Sequence, residues 1–535
     1  MSIISDIMRY WRFSIGLRGY LRNPFTLEQS QEIIKKRMGK RAETFLAILR
    51  KAVYGNKKSP YLKLLKLAGC EYGDIESSVR THGIEATLKK LSDEGVWLSF
   101  EEFKGRKEVA RAGKVFKFKE SDFDNPFFSP HFEDSQVSSR RAGARTMLDL
   151  DFWAQQAVGY PPILEANNIL EVPLAMWRPA LAQGGELFLL IFAKAGSSPI
   201  KWFSQLDKKA TKPSLKNRML TDYLIYLGRV FGARWSKPEH MVLNDAAKIA
   251  QWIAEMLKER QTCCLIATPS NASRICKAAK EKGLHFRGAK FLVEGEPLTQ
   301  KKLKEIESAG ATALSLYWFT EGGLVGGSCP NTIAEGGIHV AKDCIAVVQH
   351  QRDVEHAGVP VNAFLFSSLL PAAPRILLNV ESEDYGLIEQ RHCGCKLAEL
   401  GYTEHIYNIR SFGWFRAEGQ RVFVTDLLKL MEEVLPAKFG GSPSDYQFLE
   451  EEDEHGFTRV SLAASPVVGS IDENVLRATV LHELRKGLGY EKKETYREAA
   501  EVWSQANTLQ LKQMIPGTTA KEKVLPLHIK KVATG

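Results

Sequence analysis

The chain has 535 residues, 44% of them hydrophobic and 25% charged, and Lys plus Arg exceed Asp plus Glu by 73 − 63 = 10. That is more chain than one ordinary core can use, so a large domain and at least one further unit are expected, and the composition excludes disordered and fibrous classes. The basic excess fits nucleic acid, an anionic membrane surface or a polyanionic small substrate such as a nucleotide, but zinc-finger spacing, an aromatic RNA-binding signature and a basic heptad array are all absent.

The opening MSIISDIMRYWRFSIGLRGYLRNPF mixes basic with aromatic residues and lacks the continuous apolar stretch of a cleavable leader. No apolar run reaches the roughly 20 residues that span a bilayer, so a cytoplasmic protein without a transmembrane segment is expected. The longest apolar runs, LFLLIFAKAG and AFLFSSLLPAAP, have the length of core strands. From Thr26 to about Lys104 the spacing in QEIIKKRMGKRAETFLAILRKAVYG and GIEATLKKLSDEG predicts helices, so residues 1–110 read as a helical opening region.

Between about Val115 and Gln349 the texture changes. TCCLIATP, ASRICKAAKEKG, AKFLVEG, TQKKLKEIESAG and ATALSLYWF alternate strand and helix, which predicts a parallel sheet with crossover helices. Ligands of such sheets bind beyond the carboxyl ends of the strands. Two polar turns, GEP and TEGG, follow strands directly. The stretch YWFTEGGLVGGSCPN, Tyr317 to Asn331, therefore reads either as a nucleotide and metal site at a strand end or as a tight turn with a surface carboxylate.

A third texture starts near Ser411. SFGWFRAEGQ supplies a hinge around Gly413 and Gly419, RVFVTDLLKLMEEVLP reads as a helix, and YQFLEEEDEHGFTRVSLAAS as strand, acidic turn and strand, followed by two helices and a tail. The predicted architecture is α/β: a large N-terminal domain (1–411) with mostly parallel sheets and crossover helices, plus a small mobile α+β C-terminal domain (412–535). Eight cysteines with an adjacent pair, Cys263 and Cys264, do not form the framework of a small secreted domain, which leaves reduced thiols or a metal site.

Four separated motifs resemble, in order, those of the adenylate-forming ligases, in particular the phenylacetate-CoA ligase-like branch. The resemblance runs from about Ser59 to Lys523. SSRRAGART falls where the family has its phosphate loop, with Ser138, Ser139, Gly143 and Thr146 matching and Arg140 and Arg141 replacing a glycine and a threonine. Hydroxyls and glycine amides suit phosphate because they donate without bulk, and the two arginines add charge. The segment from GEP to YWFTE is similar to the family's GAEP and YGxTE motifs. It implies nucleotide-side positions for Glu296 and Tyr317, and phosphate and Mg2+ roles for Thr320 and Glu321. Trp318 and Phe319 depart from the pattern.

VESEDYGLI resembles RTGDxG, which implies that Asp384 accepts from both ribose hydroxyls, a task suited to an acceptor-only group with two oxygens. Arg410 matches the arginine at the domain junction, while Phe412 and Gly413 stand where the family has its hinge aspartate. In the tail, Thr519 to Lys523 resembles TxxGK with Glu522 in place of glycine, so Lys523 is implied to bridge carboxylate and α-phosphate during adenylation. Cys329, His339, Cys393 and Cys395 match a Cys, His, Cys-x-Cys set that binds structural zinc in part of that branch, and three thiolates with one imidazole close a tetrahedral shell.

The resemblance implies an ATP-dependent acid–thiol ligase using ATP, Mg2+, coenzyme A and a structural Zn2+. Its partners would be a carboxylic acid and coenzyme A or a carrier-protein thiol, and a homodimer is compatible with it. The alternatives are an acyl-adenylate enzyme with an amine or carrier-protein acceptor, and a catalytically inactive member acting as a binding module. Acid-pocket residues are expected around Val158 to Pro162 and before Thr268 and Glu296.

Overall fold

The computed structural model describes residues 3–127, 150–180, 184–205, 215–354, 360–424, 427, 430–487, 493–516 and 527–528. The phosphate-loop candidates Ser138, Ser139, Arg140, Arg141, Gly143 and Thr146, and the tail candidates Thr519, Glu522 and Lys523, lie outside the described residues.

Helices fill the opening region as its periodicity predicts, among them Ile3–Arg22, Leu27–Gly39, Arg41–Ile48, Tyr72–His82 and Ile84–Asp93. Thr26 starts the second through a capping box: its hydroxyl accepts from the Gln29 N–H while the Gln29 side chain accepts from the Thr26 N–H. A short hairpin, β1 (Val109–Arg111) and β2 (Lys114–Phe116), closes the region.

Strands then alternate with helices: β3 (Leu174–Trp177), β4 (Lys201–Ser204), β5 (Glu239–His240), β6 (Cys263–Ala267), β7 (Ala289–Val293) and β8 (Thr312–Phe319). They pair in parallel in the order β8-β7-β6-β3-β4-β5, with Ala246–Arg260, Pro269–Glu281 and Gln300–Ser308 among the connecting helices. This is the strand–helix alternation read from the sequence.

The sheet continues past β8 as antiparallel strands: β9 (Gly323–Gly327), β10 (Ile338–Val340), β11 (Ile345–Asp353), β12 (Pro360–Ser368), β13 (Val380–Gln390) and β14 (Glu404–Ser411). Their order is β8-β9-β10-β14-β13-β12-β11, which brings the whole sheet to 12 strands. That order sets β10 beside β14 and so joins residues far apart in sequence, which the function uses below.

Alternation along the parallel strands divides the core between two faces. Leu174, Met176, Cys264 and Ile266 pack with Trp153, Tyr160, Phe188 and Phe192, while Ala175, Trp177, Cys263 and Leu265 pack with Ile249, Ile253, Ile275 and Ile306. The adjacent thiols thus serve opposite faces as small core residues, and burial pushes each up to about 12. They are buried free thiols rather than ligands.

Two expectations are corrected. LFLLIFAK forms the helix Gly185–Lys194, buried on every side, rather than a strand; an uninterrupted apolar run carries no period to distinguish the two. The start of RVFVTDLLKLMEEVLP is a strand that ends at Phe423, and among the described residues helix begins only from Val424 and Leu427 onward, through Leu430–Val434 and Leu435–Phe439. In YWFTEGGLVGGSCPN the tight turn ends at Gly322, and Gly323, Gly326 and Gly327 lie in a buried strand. A Cβ at Gly326 would lie 1.8 Å from the His339 carbonyl oxygen and one at Gly327 would lie 2.6 Å from Ile163, so only glycine lets β9 approach this closely.

After β14 comes the hairpin β15 (Trp414–Ala417) and β16 (Gln420–Phe423), then a separate four-stranded sheet. Its strands are β17 (Tyr446–Glu452), β18 (Thr458–Ala464), β19 (Leu509–Gln513) and β20 (Leu527–His528), in the order β19-β18-β17-β20, with helices Glu473–Lys486 and Lys493–Gln505. No helix among the described residues is long and apolar enough to cross a membrane.

Candidate active site and metal knuckle

Tyr317, near the carboxyl end of β8, donates its hydroxyl to Asp384 Oδ2 on β13 at 2.7 Å. The pair is separated by 67 residues in sequence and by β9, β10 and β14 in the strand order, so it meets across the sheet and not between neighbouring strands. Burial, together with the Asp384 charge, raises the Tyr317 hydroxyl well above its ordinary range, so it stays a donor. The residue before Asp384, Glu383, holds φ +63°, an unusual conformation for a side-chain-bearing residue, and its carbonyl accepts from Phe412 N–H.

Asp384 has a second partner that the sequence did not signal. Arg416 Nη2 on β15 lies 2.8 Å from Asp384 Oδ1 and 3.1 Å from Oδ2, so both carboxylate oxygens are engaged. Beside them, burial pushes Glu450 up to about 7 although Arg416, Lys302 and Arg410 oppose the shift. Arg410 itself lies on β14 opposite Tyr385 and donates to the Ile409 carbonyl.

Thr320 and Glu321 form the turn between β8 and β9. Glu321 accepts from Lys104 at 2.5 Å, and Lys104 also reaches Glu120 at 2.8 Å. Arg375 pairs with the same Glu120 oxygen at 2.5 Å. Burial disfavours the Glu321 charge, but Lys104 first, then Arg421 and Arg375, outweigh it and hold the carboxyl at about 2. Lys104 and Arg375 carry no local motif and were missed.

Glu296 is brought to the carboxyl end of β7, where its Oε1 accepts from the Ser270 N–H at 2.6 Å and its Oε2 lies 3.5 Å from Lys302. It therefore caps the helix Pro269–Glu281 in this arrangement. Along the same edge the C-terminal sheet is fastened to the large one. Thr299 donates to Glu452 at 2.6 Å, and Lys302 donates to Thr458 at 3.2 Å. Arg274 grips Glu418 with two bonds at 2.8 and 3.0 Å.

The four Cys and His candidates do converge. Their ligand atoms all lie within 4.8 Å of one another, with His339 Nε2 at 3.1, 3.5 and 3.3 Å from the sulfurs of Cys329, Cys393 and Cys395. Strand β9 delivers Cys329, β10 delivers His339, and the turn after β13 delivers the Cys-x-Cys pair. His339 Nδ1 lies 2.5 Å from the Tyr402 carbonyl, which fixes the proton there and leaves the Nε2 lone pair facing the sulfurs. Mutual interactions drive Cys395 down and Cys329 up, and burial, then Cys395, drives Cys393 up, as expected when several thiols compete for a single negative charge. A dication removes that competition, so the donor set fits a soft four-coordinate metal.

No family model and no curated protein matches the chain. Among solved structures it is similar to a 2-hydroxyisobutyryl-CoA ligase in complex with 2-HIB-AMP and CoA, at 13% identity over 95% of this chain and 91% of that one, with a TM-score of 0.45. It is also similar to a malonyl-CoA ligase with methylmalonyl-CoA and AMP bound, at 11% identity over 70% and 67% of the two chains and TM-score 0.38. A third is an amide bond synthetase of Marinactinospora thermotolerans, at 13% identity over 68% and 63% and TM-score 0.36. At 11–13% identity and TM-scores of 0.36–0.45, these likenesses leave the activity to be argued from the residues.

Proposed function

We propose that the chain is an ATP-dependent carboxylic acid ligase that forms an acyl-adenylate and passes the acyl group to a thiol, coenzyme A being the acceptor favoured over an amine. The observation that carries this reading is the meeting of Tyr317 and Asp384 beside the carboxyl end of β8, with Thr320 and Glu321 in the turn that follows. In a sheet whose other parallel strands end on the same edge, that is where a nucleotide binds.

Asp384 would accept from the ribose hydroxyls once Arg416 leaves it, and Tyr317 would flank the base. A carboxylate oxygen of the acid attacks the α-phosphorus, the bond to the β-phosphate oxygen breaks, and pyrophosphate leaves. The thiolate sulfur of the acceptor then attacks the acyl carbon and AMP departs with the electron pair. Thr320, with Lys104 and Arg375, which share Glu120, would meet the departing charge, and Lys523 would bring carboxylate and α-phosphate together. Glu321, ionised throughout the neutral range, would hold Mg2+, which would supply charge neutralisation of pyrophosphate.

The Cys329, His339, Cys393 and Cys395 set would hold one zinc ion. Because all four positions are protein ligands, its role is to fasten β9, β10 and the turn after β13 together. We place the boundary between a domain of residues 1–411 and a mobile one of 412–535 at Phe412 and Gly413, where Gly413 packs so closely on Glu383 that a Cβ would lie 2.1 Å from its carboxylate. A cytoplasmic location belongs to the same reading.

A second reading has its own support. Asp384 is covered by Arg416, and Glu321 by Lys104, so both groups are satisfied without ligand, as in a protein that keeps the fold and binds without catalysis. The deciding experiment is pyrophosphate release across a panel of carboxylic acids, with and without coenzyme A. Acid-dependent release establishes the ligase, stimulation by coenzyme A establishes the acceptor, and ATP binding without release from any acid would favour the non-catalytic reading.

A further inference from the structure

The helix Pro269–Glu281 begins at the carboxyl end of β6, and its first turn contains an unusual set of side chains. Thr268 caps it by accepting from the Asn271 N–H at 3.2 Å, and Glu296 takes the Ser270 N–H. With these donors satisfied by a hydroxyl and a carboxylate, the helix start does not attract anions. The side chains of Ser270 and Asn271 are a different matter. Both residues have no solvent exposure, and among the described residues the Ser270 hydroxyl and both polar atoms of the Asn271 amide have no hydrogen-bond partner. Native interiors rarely leave buried polar atoms unsatisfied, because each costs its full desolvation.

Their direction is given by the helix itself. Arg274 lies three positions after Asn271 and four after Ser270, hence on the same side, and Arg274 grips Glu418 at the tip of the β15–β16 hairpin. That tip, Glu418 and Gly419 at φ +56° and +70°, is seated on Thr268: a Cβ at Gly419 would lie 2.3 Å from the Thr268 methyl carbon. The hairpin therefore roofs the first turn of the helix, and lifting it opens the space over Ser270 and Asn271.

We infer that Ser270 and Asn271 form a subsite, covered by the hairpin tip, for a neutral planar group that carries a hydrogen-bond donor beside an acceptor. An asparagine amide pairs two-fold with such an edge, as it does with the amino group and ring nitrogen of adenine. Glu296 beside the site favours a donor-bearing neutral group over a carboxylate or phosphate. Within the ligase reading, on which the source of the group rests, that edge belongs either to the adenine base or to a carboxamide on the acid substrate.

The test uses the full chain and two variants, Asn271→Ala and Ser270→Ala. In one arm, binding of ATP is compared with that of ITP, which has an oxo group in place of the amino group, and of 7-deaza-ATP, which lacks the ring acceptor. In the other, pyrophosphate release with succinamic acid is compared with that of pentanoic acid. The expected result is a preference of at least about tenfold in one arm, reduced to threefold or less in Asn271→Ala and partly in Ser270→Ala. Thermal stability of Asn271→Ala should be unchanged or raised, because an unsatisfied amide is removed. A preference that survives both substitutions, or no preference in either arm, overturns the inference, and a fall in stability would then identify Asn271 as a structural residue satisfied by an enclosed water. If the wild type neither binds ATP nor releases pyrophosphate, the ligase reading falls first and takes this assignment with it.

Discussion

Arg416, on the hairpin that leads to the C-terminal sheet, donates to both oxygens of Asp384, on the large sheet. The same hairpin holds Arg274 through Glu418, so it is clamped at two points across the strand ends. A nucleotide that takes Asp384 must displace the first clamp, which couples ligand binding to hairpin position.

Asp384→Ala is expected to weaken ATP binding at least about tenfold, since hydrogen bonds to a charged group are worth roughly 1.5–3 kcal/mol each. From sequence alone the fold would be spared. The structure predicts otherwise: Arg416 would be left buried without its partner, a loss on the order of 3–5 kcal/mol. Titration calorimetry and thermal unfolding on one preparation check both, and unchanged ATP affinity would remove Asp384 from the ribose role.

Arg416→Met should act in the opposite sense on nucleotide. With the competing guanidinium removed, Asp384 has an oxygen ready for a ribose hydroxyl, and ATP affinity should rise several-fold while the unliganded protein loses stability. A fall in affinity would show that Arg416 contacts nucleotide instead of excluding it.

The Lys104–Glu321 pair predicts an acid-side signature. Glu321 is held at about 2 against an ordinary value of 4.5, so its contribution is present above the unfolded value and is lost as pH falls from about 4.5 towards 2. A shift of that size corresponds to roughly 3 kcal/mol. Lys104→Met should remove much of it at neutral pH and flatten the unfolding profile below pH 4.5, while pyrophosphate release should require more Mg2+ if Glu321 loses its fixed position.

For the knuckle, metal analysis of the purified protein should give one zinc ion per chain. Cys395→Ser should lose the metal, and a strong chelator should lower the unfolding temperature of the wild type but not of the variant. A metal-free wild type that unfolds at the same temperature would end the zinc assignment.

Lys523 should matter for one half-reaction. Lys523→Ala is expected to cost on the order of a hundredfold or more in acid-dependent pyrophosphate exchange while sparing acyl transfer from a supplied acyl-adenylate. Equal losses in both steps would contradict the division, and no loss in either would support the non-catalytic reading.

The elements from Cys263 to Phe319 were legible in the sequence because each declares itself locally: short apolar runs that end in polar turns mark β6, β7 and β8, and Thr268 and Thr299 cap the helices between them. The candidate carboxylates, and the Cys and His residues, were singled out because the motifs around them resemble those of the ligases, and the structure brings the four Cys and His residues together. What the sequence could not declare was who stands opposite. LFLLIFAK, apolar at almost every position, became a helix because its surroundings bury all sides, and the strands after β8 joined the sheet through long-range pairing alone. Lys104, Arg416 and Asn271 are ordinary residues in their local stretches. Their roles arise from burial and from partners as distant as Glu321, Asp384 and the hairpin tip, and such burial is a property of the packed chain that no local pattern encodes.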